Sequence, residues 1–314
     1  MRFDLDAIKA ITVGALDVFE ENGGFSFLKM TEKQSQRFRE FSETLYERSL
    51  TTTGIRLDFH TDSPYLRFAV LSSGRYEIAL DGLLSPDNVI RESGCAYEVA
   101  LPKDGATHRV TLYLPSHSCG SLAYLELADG SKCERHIFDR KILFLGDSIT
   151  QGWNAEYDSL SFAYQTSEIL NAESMIQGVG GAFYDAGFVG EIGFSPDSVI
   201  VAYGTNDANR VKKLDEFEEI CSRYFERVKA LYPSSTLYVI TPIWRQDYDL
   251  PRPYGHVRLI SESIARIADS YRAKVIDGMT LMPHLPCMMA DVLHPNALGF
   301  SLYAKALVQA LGDQ

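Results

Sequence analysis

Ile142-Leu-Phe-Leu145, followed at once by Gly146-Asp147-Ser148-Ile149-Thr150, is the stretch on which the reading of this chain turns. Consecutive large apolar residues that end abruptly in glycine suit a strand buried on both faces, as in a parallel sheet. The same grammar recurs downstream. Ser198-Val-Ile-Val-Ala202, Leu237-Tyr-Val-Ile240 and Lys274-Val-Ile276 are further apolar runs, and Met175-Ile-Gln177 reads as another strand. Between them lie longer segments of helical character, Leu214 to Tyr232, Arg258 to Tyr271 and Pro295 to Leu311. Apolar strands alternating with amphipathic helices predict a three-layer α/β/α domain around a parallel sheet.

Upstream the pattern is different. From about Ile11 to Glu126 the chain reads in short, β-rich runs such as Ile55-Arg-Leu-Asp-Phe59, Tyr65-Leu-Arg-Phe-Ala-Val70, Tyr76-Glu-Ile-Ala-Leu80 and Arg109-Val-Thr-Leu-Tyr-Leu114. Asp81-Gly82, Asp104-Gly105 and Asp129-Gly130 are turn signals between or after them. Short strands at this spacing predict an antiparallel β-sandwich, with the polar stretch Thr31 to Arg48 as a short helix or irregular crossover. A chain of 314 residues is long enough for two domains, and the change of grammar places them at 1–138 and 139–314.

Composition narrows the function. With 46% hydrophobic and 23% charged residues the chain is expected to fold throughout. The net charge of -12, with neither half basic, disfavours nucleic-acid binding, which needs a positive footprint for phosphates. The first residues carry acids and no apolar run of signal-peptide length, and no stretch of about 18 apolar residues follows. The expectation is a cytoplasmic protein without a membrane partner. Five cysteines, Cys95, Cys119, Cys133, Cys221 and Cys287, without a Cys-x-x-Cys pair, read as free buried thiols. The seven histidines are scattered without ligand spacing, so no metal is expected.

In a parallel sheet, ligands bind beyond the carboxyl ends of the strands. Residues with chemical potential stand at those points: Gly146-Asp-Ser148, Gly178-Val-Gly-Gly181, Gly204-Thr-Asn206-Asp207, and Asp291-Val-Leu-His294 before the last helix. These four blocks, in this order over about residues 139–312, resemble those of the SGNH/GDSL hydrolase family of serine esterases. The resemblance implies a flavodoxin-like SGNH-hydrolase domain. It also implies a triad of Ser148, His294 and Asp291, and an oxyanion hole formed by the backbone N–H of Ser148, the backbone N–H of Gly181 and the side-chain amide of Asn206. Gly180 is the second choice of glycine. No cofactor is implied.

The residue types suit that chemistry. A serine hydroxyl becomes a useful nucleophile once a base accepts its proton, and imidazole titrates near neutrality. An aspartate on the other ring nitrogen fixes the tautomer and stabilises the imidazolium. Blander roles compete at each position. Ser148 could be a helix N-cap and Asn206 a turn residue. Asp147 and Asp207 read as loop-ordering residues, and His256 and His284, which lack the Asp-x-x-His arrangement, as surface or rim residues. Trp153 is a candidate substrate-binding wall and Trp244 another, with core packing equally open for Trp153. The loop from Trp244 to His256 is either a mobile rim or an ordinary solvated connection.

The front domain also has a family look. Phe27-Leu-Lys-Met-Thr and Thr51-Thr-Thr-Gly-Ile-Arg-Leu-Asp-Phe-His-Thr-Asp62 resemble the jelly-roll-like β-sandwich that precedes the hydrolase domain in carbohydrate esterases of family 2 and in two-domain acyl esterases of bacterial secondary metabolism. That resemblance implies either loops shaping the acceptor side of the site or a carbohydrate-binding module. Tyr65, Tyr76, Tyr97 and Tyr113 suit sugar stacking and strand packing alike. The expected activity is removal of a short acyl group, such as acetyl, from a carbohydrate or small molecule. The alternatives are an acyltransferase or thioesterase with the same triad, and a carbohydrate-binding protein without turnover.

Overall fold

The computed structural model describes residues 1–90 and 92–312, so Asp313 and Gln314, the end of the expected second domain, lie outside the described residues. The apolar run at Ile142 to Leu145 forms the strand Arg140–Gly146, buried from Ile142 onward. It lies inside a five-stranded sheet whose order is Ala172–Gly178, Arg140–Gly146, Ser198–Ala202, Thr236–Ile240 and Lys274–Ile276. All neighbours pair in parallel, with Gly146 in register with Gly178 on one side and Ala202 on the other. Helices complete a three-layer α/β/α arrangement: Phe162–Ile169 packs on Ala297–Gly312, and Leu214–Leu231 packs on Val257–Ser270. The chain leaves Arg140–Gly146 toward one edge and returns to its other side, which makes the carboxyl end of that strand the switch point where a crevice opens.

Two antiparallel sheets form the β-sandwich. One runs Thr12–Val13, Arg56–Thr61, His108–Tyr113, Tyr76–Leu80, Leu83–Ile90, with Cys133–Arg135 also pairing to Arg56–Thr61; the other runs Asp17–Glu21, Gly24–Leu28, Ser121–Leu127, Tyr65–Val70, Ala96–Ala100. Their inner faces share a core that includes Phe25, Leu57, Phe68, Ile78, Leu112 and Leu125. Tyr76 and Tyr113 are buried strand residues, and the Tyr76 hydroxyl meets Ser72 and Ser121.

The chain divides into two compact units: Met1–Lys29 with Leu50–Phe138, and Met30–Ser49 with Asp139–Gln314. This differs from the division at Phe138 in one segment. Met30–Ser49 carries two helices, Glu32–Phe41 and Glu43–Ser49, and packs with the α/β unit. The first helix opens with a capping box, in which Thr31 Oγ1 accepts from Gln34 N–H and Gln34 Oε1 accepts from Thr31 N–H. Gln34 Nε2 then donates to Gln177 Oε1 at 2.9 Å and to the Phe188 carbonyl at 2.8 Å. Phe38 stacks on Phe188 with ring centres 3.8 Å apart, and Arg37 holds Asp185 by two nitrogens. A mostly polar sequence conceals these anchors, because one buried face of a single helix needs few apolar residues.

The cysteines are free but, contrary to expectation, mostly not buried: Cys95, Cys119 and Cys287 are exposed, Cys133 is half-buried and Cys221 alone is buried. Cys221 lies on the inner face of a helix, whereas the three exposed thiols stand in loops or a single 3-10 turn. No helix among the described residues is long and apolar enough to cross a membrane.

Candidate active site

Ser148 follows the buried strand by one residue and opens the short helix Ser148–Gln151. The N-cap is its neighbour Asp147, whose Oδ1 accepts the Ile149 N–H at 2.9 Å, so the serine hydroxyl is released from capping. Close packing under this turn requires glycine: a Cβ on Gly178 would lie 2.8 Å from Gln151 Cα. Ser148 is 5% exposed.

The Asp291–His294 loop stands opposite. His294 Nε2 lies 2.8 Å from Ser148 Oγ, and His294 Nδ1 lies 2.9 Å from Asp291 Oδ2. Asp291 Oδ1 accepts the backbone N–H groups of Leu293 and His294, each at 2.7 Å, which folds the loop around its own carboxylate. Asn154 Nδ2 adds a donor to Oδ2 at 2.8 Å. Partial burial alone would raise the Asp291 carboxyl, but the His294 ring and the two backbone donors outweigh it and hold the group below its ordinary value. An ionised Asp291 favours the tautomer with hydrogen on Nδ1 and a lone pair on Nε2 facing the serine.

The donors expected around a developing oxyanion occupy adjacent loops. Asn206 is not a side-chain cap; its Nδ2 donates to the Ala182 carbonyl at 2.8 Å, which leaves a second amide hydrogen and ties Asn206 to the residue after Gly181. Gly180 and Gly181 separate clearly. The Gly180 N–H donates to Gln151 Oε1 at 2.7 Å, whereas the N–H groups of Gly181 and Ser148 meet no acceptor among the described residues. Gly181 has φ of 87°, a conformation that favours glycine.

Asp147 and Asp207 are buried and each braces a loop, Asp147 through Ile149 and Asp207 through the Tyr184 N–H at 3.1 Å. Burial pushes both carboxyls up to about 7 against these hydrogen bonds, and the proximity of Asp207 adds to the rise at Asp147. Trp153 lies beside His294, with their ring centres 6.2 Å apart. Trp244 instead stacks on His284 at 5.7 Å, and His284 Nε2 donates to the Met279 carbonyl. His256 caps the helix Val257–Ser270 by accepting the Arg258 N–H.

The loop from Trp244 to His256 is tied into the site at several points. Buried Arg245 donates to the Thr205 carbonyl and to Asn209, Gln246 donates to the Val292 and Asp291 carbonyls, and the Tyr254 hydroxyl donates to the Ala208 carbonyl. The structure thus adds residues that motif reading passed over. Gln151 and Asn154 lie just past Thr150, where proximity to the motif was the available clue; Gln246 lay inside the loop already singled out. Among the described residues no group of three or more His, Cys, Asp or Glu could hold a metal ion.

The fold has solved relatives of the same two-part build. A salicylyl-acyltransferase from a tetracycline biosynthetic pathway superposes with a TM-score of 0.81 at 18% identity, covering 96% of this chain and 94% of that one. A family two carbohydrate esterase from Cellvibrio japonicus gives 0.71 at 16% identity over 98% and 96%. An acetyl xylan esterase from the rumen bacterium Butyrivibrio proteoclasticus gives 0.64 at 14% over 100% and 98%. At such identities the likeness speaks for the fold. No curated protein matches the chain. The model of the GDSL-like lipase/acylhydrolase family matches residues 144–302, a span that holds Ser148, the Gly178–Gly181 loop, Asn206, Asp291 and His294. The chain therefore belongs to the GDSL-like lipase/acylhydrolase family of SGNH ester hydrolases.

Proposed function

We propose that the protein cleaves carboxylic esters through an acyl-enzyme on Ser148, and that its substrates are short acyl esters, acetyl esters foremost, of a carbohydrate or small molecule. The observation that carries the reading is the continuous chain from Ser148 Oγ to His294 Nε2 at 2.8 Å and from His294 Nδ1 to Asp291 at 2.9 Å. Ser148 Oγ attacks the acyl carbon while its proton passes to His294 Nε2, and Asp291 stabilises the imidazolium. The carbonyl oxygen, now anionic, takes hydrogen bonds from the N–H of Ser148, the N–H of Gly181 and Asn206 Nδ2. Collapse expels the alcohol, which takes the proton from His294. Water then repeats the sequence on the acyl-serine, with His294 as base. Trp153, beside the imidazole, forms a wall for the ester.

The preference for a sugar ester rests on likeness to carbohydrate esterases of family two. Likeness to a salicylyl-acyltransferase favours a second reading, in which an alcohol replaces water in the second half-reaction. Turnover of p-nitrophenyl acetate and acetylated sugars by the parent protein and Ser148→Ala tests the first; activity that survives the substitution sinks it. Product analysis with competing alcohols separates hydrolysis from transfer.

A further inference from the structure

Arg48 stands on the helix Glu43–Ser49, far in sequence from every motif, yet its guanidinium reaches the oxyanion loop. Arg48 Nη1 donates to the Gly180 carbonyl at 2.9 Å, and its guanidinium carbon lies 5.0 Å from the centre of the Trp153 ring. A Cβ placed on Gly181 would meet the same Nη1 at 3.3 Å, so the cation is against that residue.

The Gly180 carbonyl and the Gly181 N–H belong to one planar peptide unit, and no peptide bond in the described chain is cis. In a trans peptide the two groups point in opposite directions. Anchoring the oxygen on Arg48 therefore aims the Gly181 hydrogen away from the arginine, with the whole plane fixed. The preceding peptide is pinned separately, since the Gly180 N–H is held by Gln151 Oε1 at 2.7 Å. Such clamps matter here because a glycine-glycine segment has little intrinsic preference for one orientation. A cationic donor on the carbonyl also polarises the amide and strengthens its N–H as a donor.

We propose that Arg48 is a positioning residue for the oxyanion hole, which fixes and polarises the 180–181 peptide so that the Gly181 N–H meets the transition-state oxygen. The proposal rests on the reading of Ser148 as nucleophile. It predicts a loss in kcat, because a donor that acts on developing charge contributes more to the transition state than to substrate binding.

The test uses Arg48→Met and Arg48→Lys in the full chain. Steady-state hydrolysis of p-nitrophenyl acetate is paired with inhibition by a short alkylboronic acid, whose tetrahedral adduct on Ser148 places an oxygen in the hole. Arg48→Met is expected to lower kcat by about 10- to 100-fold, with KM within about threefold, and to weaken the boronate by a similar factor. Arg48→Lys keeps a cationic donor and is expected to lose about two- to tenfold in both readouts. An unchanged kcat and boronate affinity, or a loss confined to KM or to the thermal midpoint, overturns the proposal. If Arg48→Met does not fold, Arg48→Lys decides by whether kcat and boronate affinity fall together. Ser148→Ala separates the two readings: activity surviving it refutes the nucleophile assignment, whereas activity abolished by it but unmoved in both Arg48 variants refutes the positioning role alone.

Discussion

Replacing Asp291 by asparagine perturbs one oxygen, and the structure dictates which way the amide must turn. Oδ1 is held by two backbone N–H groups at 2.7 Å, so the amide oxygen has to occupy that place. The NH2 then takes the place of Oδ2, where it faces His294 Nδ1, formerly 2.9 Å from a carboxylate oxygen, and Asn154, whose exposed amide turns over to present its oxygen in place of the Nδ2 donor. Donor cannot face donor, so Nδ1 gives up its hydrogen and Nε2, 2.8 Å from Ser148 Oγ, acquires it. The base is lost with almost no change of shape. Keeping the active tautomer leaves a donor unsatisfied, at about 2–3 kcal/mol, or roughly a hundredfold in population. Asp291 has a side chain 43% exposed, so an effective dielectric constant of about 40 over about 3.5 Å sets the lost stabilisation of the imidazolium near 2 kcal/mol. Together these lower kcat by about 10³- to 10⁴-fold, the range expected for a triad forced into the wrong tautomer. Steady-state hydrolysis of p-nitrophenyl acetate measures the loss, and 15N NMR of labelled imidazole reads which nitrogen bears hydrogen. Activity of Asp291→Asn within about tenfold of the parent, or a proton that stays on Nδ1, refutes the reasoning.

Asn206→Ala removes one proposed oxyanion donor and is expected to lower kcat by about 10²- to 10³-fold with little change in KM; a loss residing in KM would assign Asn206 to ground-state binding instead. Burial raises Asp147 and Asp207 from an ordinary 3.8 to about 7, so between those values the folded protein retains protons that the unfolded chain has released, and this contribution to stability falls as pH rises from about 4 through 7. Asp147→Asn can still accept the Ile149 N–H, so its stability relative to the parent should grow with pH, by at most about 1.4 kcal/mol per pH unit, in urea midpoints taken from pH 5 to 8. A relative stability that is flat or declines across that range contradicts the burial argument.

Periodicity sufficed for the parallel sheet because strands covered on both faces must be apolar at successive positions, as Ile142 to Leu145 are. The candidate site residues stand where the backbone itself must turn sharply, at Gly146-Asp-Ser148 and Gly178 to Gly181, where close approach at Gly146 and Gly178 and the positive φ of Gly181 favour glycine. What stayed illegible acts across loops. Thr31 to Arg48 looked like part of the front domain because its polar residues form few patterns, yet Gln34 and Phe38 dock it on Gln177 and Phe188. Arg48 had no clue in its neighbours, because a guanidinium that meets one distant carbonyl leaves no periodic trace. The alternating run Ile55 to Phe59 misleads in another way. Alternation suggests one solvated face, but Arg56 and Asp58 are both fully buried and paired, with Arg109 completing the network on Asp58.

The motif residues also depend on one another in a way their order in the chain hides. Each loop at the sheet edge is held by a residue of a different loop: Gly180 by Gln151, Ala182 by Asn206, Tyr184 by Asp207, Thr205 by Arg245, and Asp291 by Asn154. A loop held only by its own turn would let the proposed oxyanion donors drift, and a displacement of about an ångström is enough to cost roughly a hundredfold in rate. Exchange of ties between loops removes that freedom without placing extra side chains in the crevice. It also accounts for the burial of Asp207 despite its cost, while buried Asp147 orders its own turn through Ile149. A carboxylate oxygen that accepts a backbone N–H at the root of a loop orders the residue beside it, and the residues beside these two are Ser148 and Asn206. The acidic side chains beside the proposed nucleophile and oxyanion donor therefore fix backbone, which leaves the Ser148 hydroxyl to His294 and one amide hydrogen of Asn206 beyond its bond to Ala182.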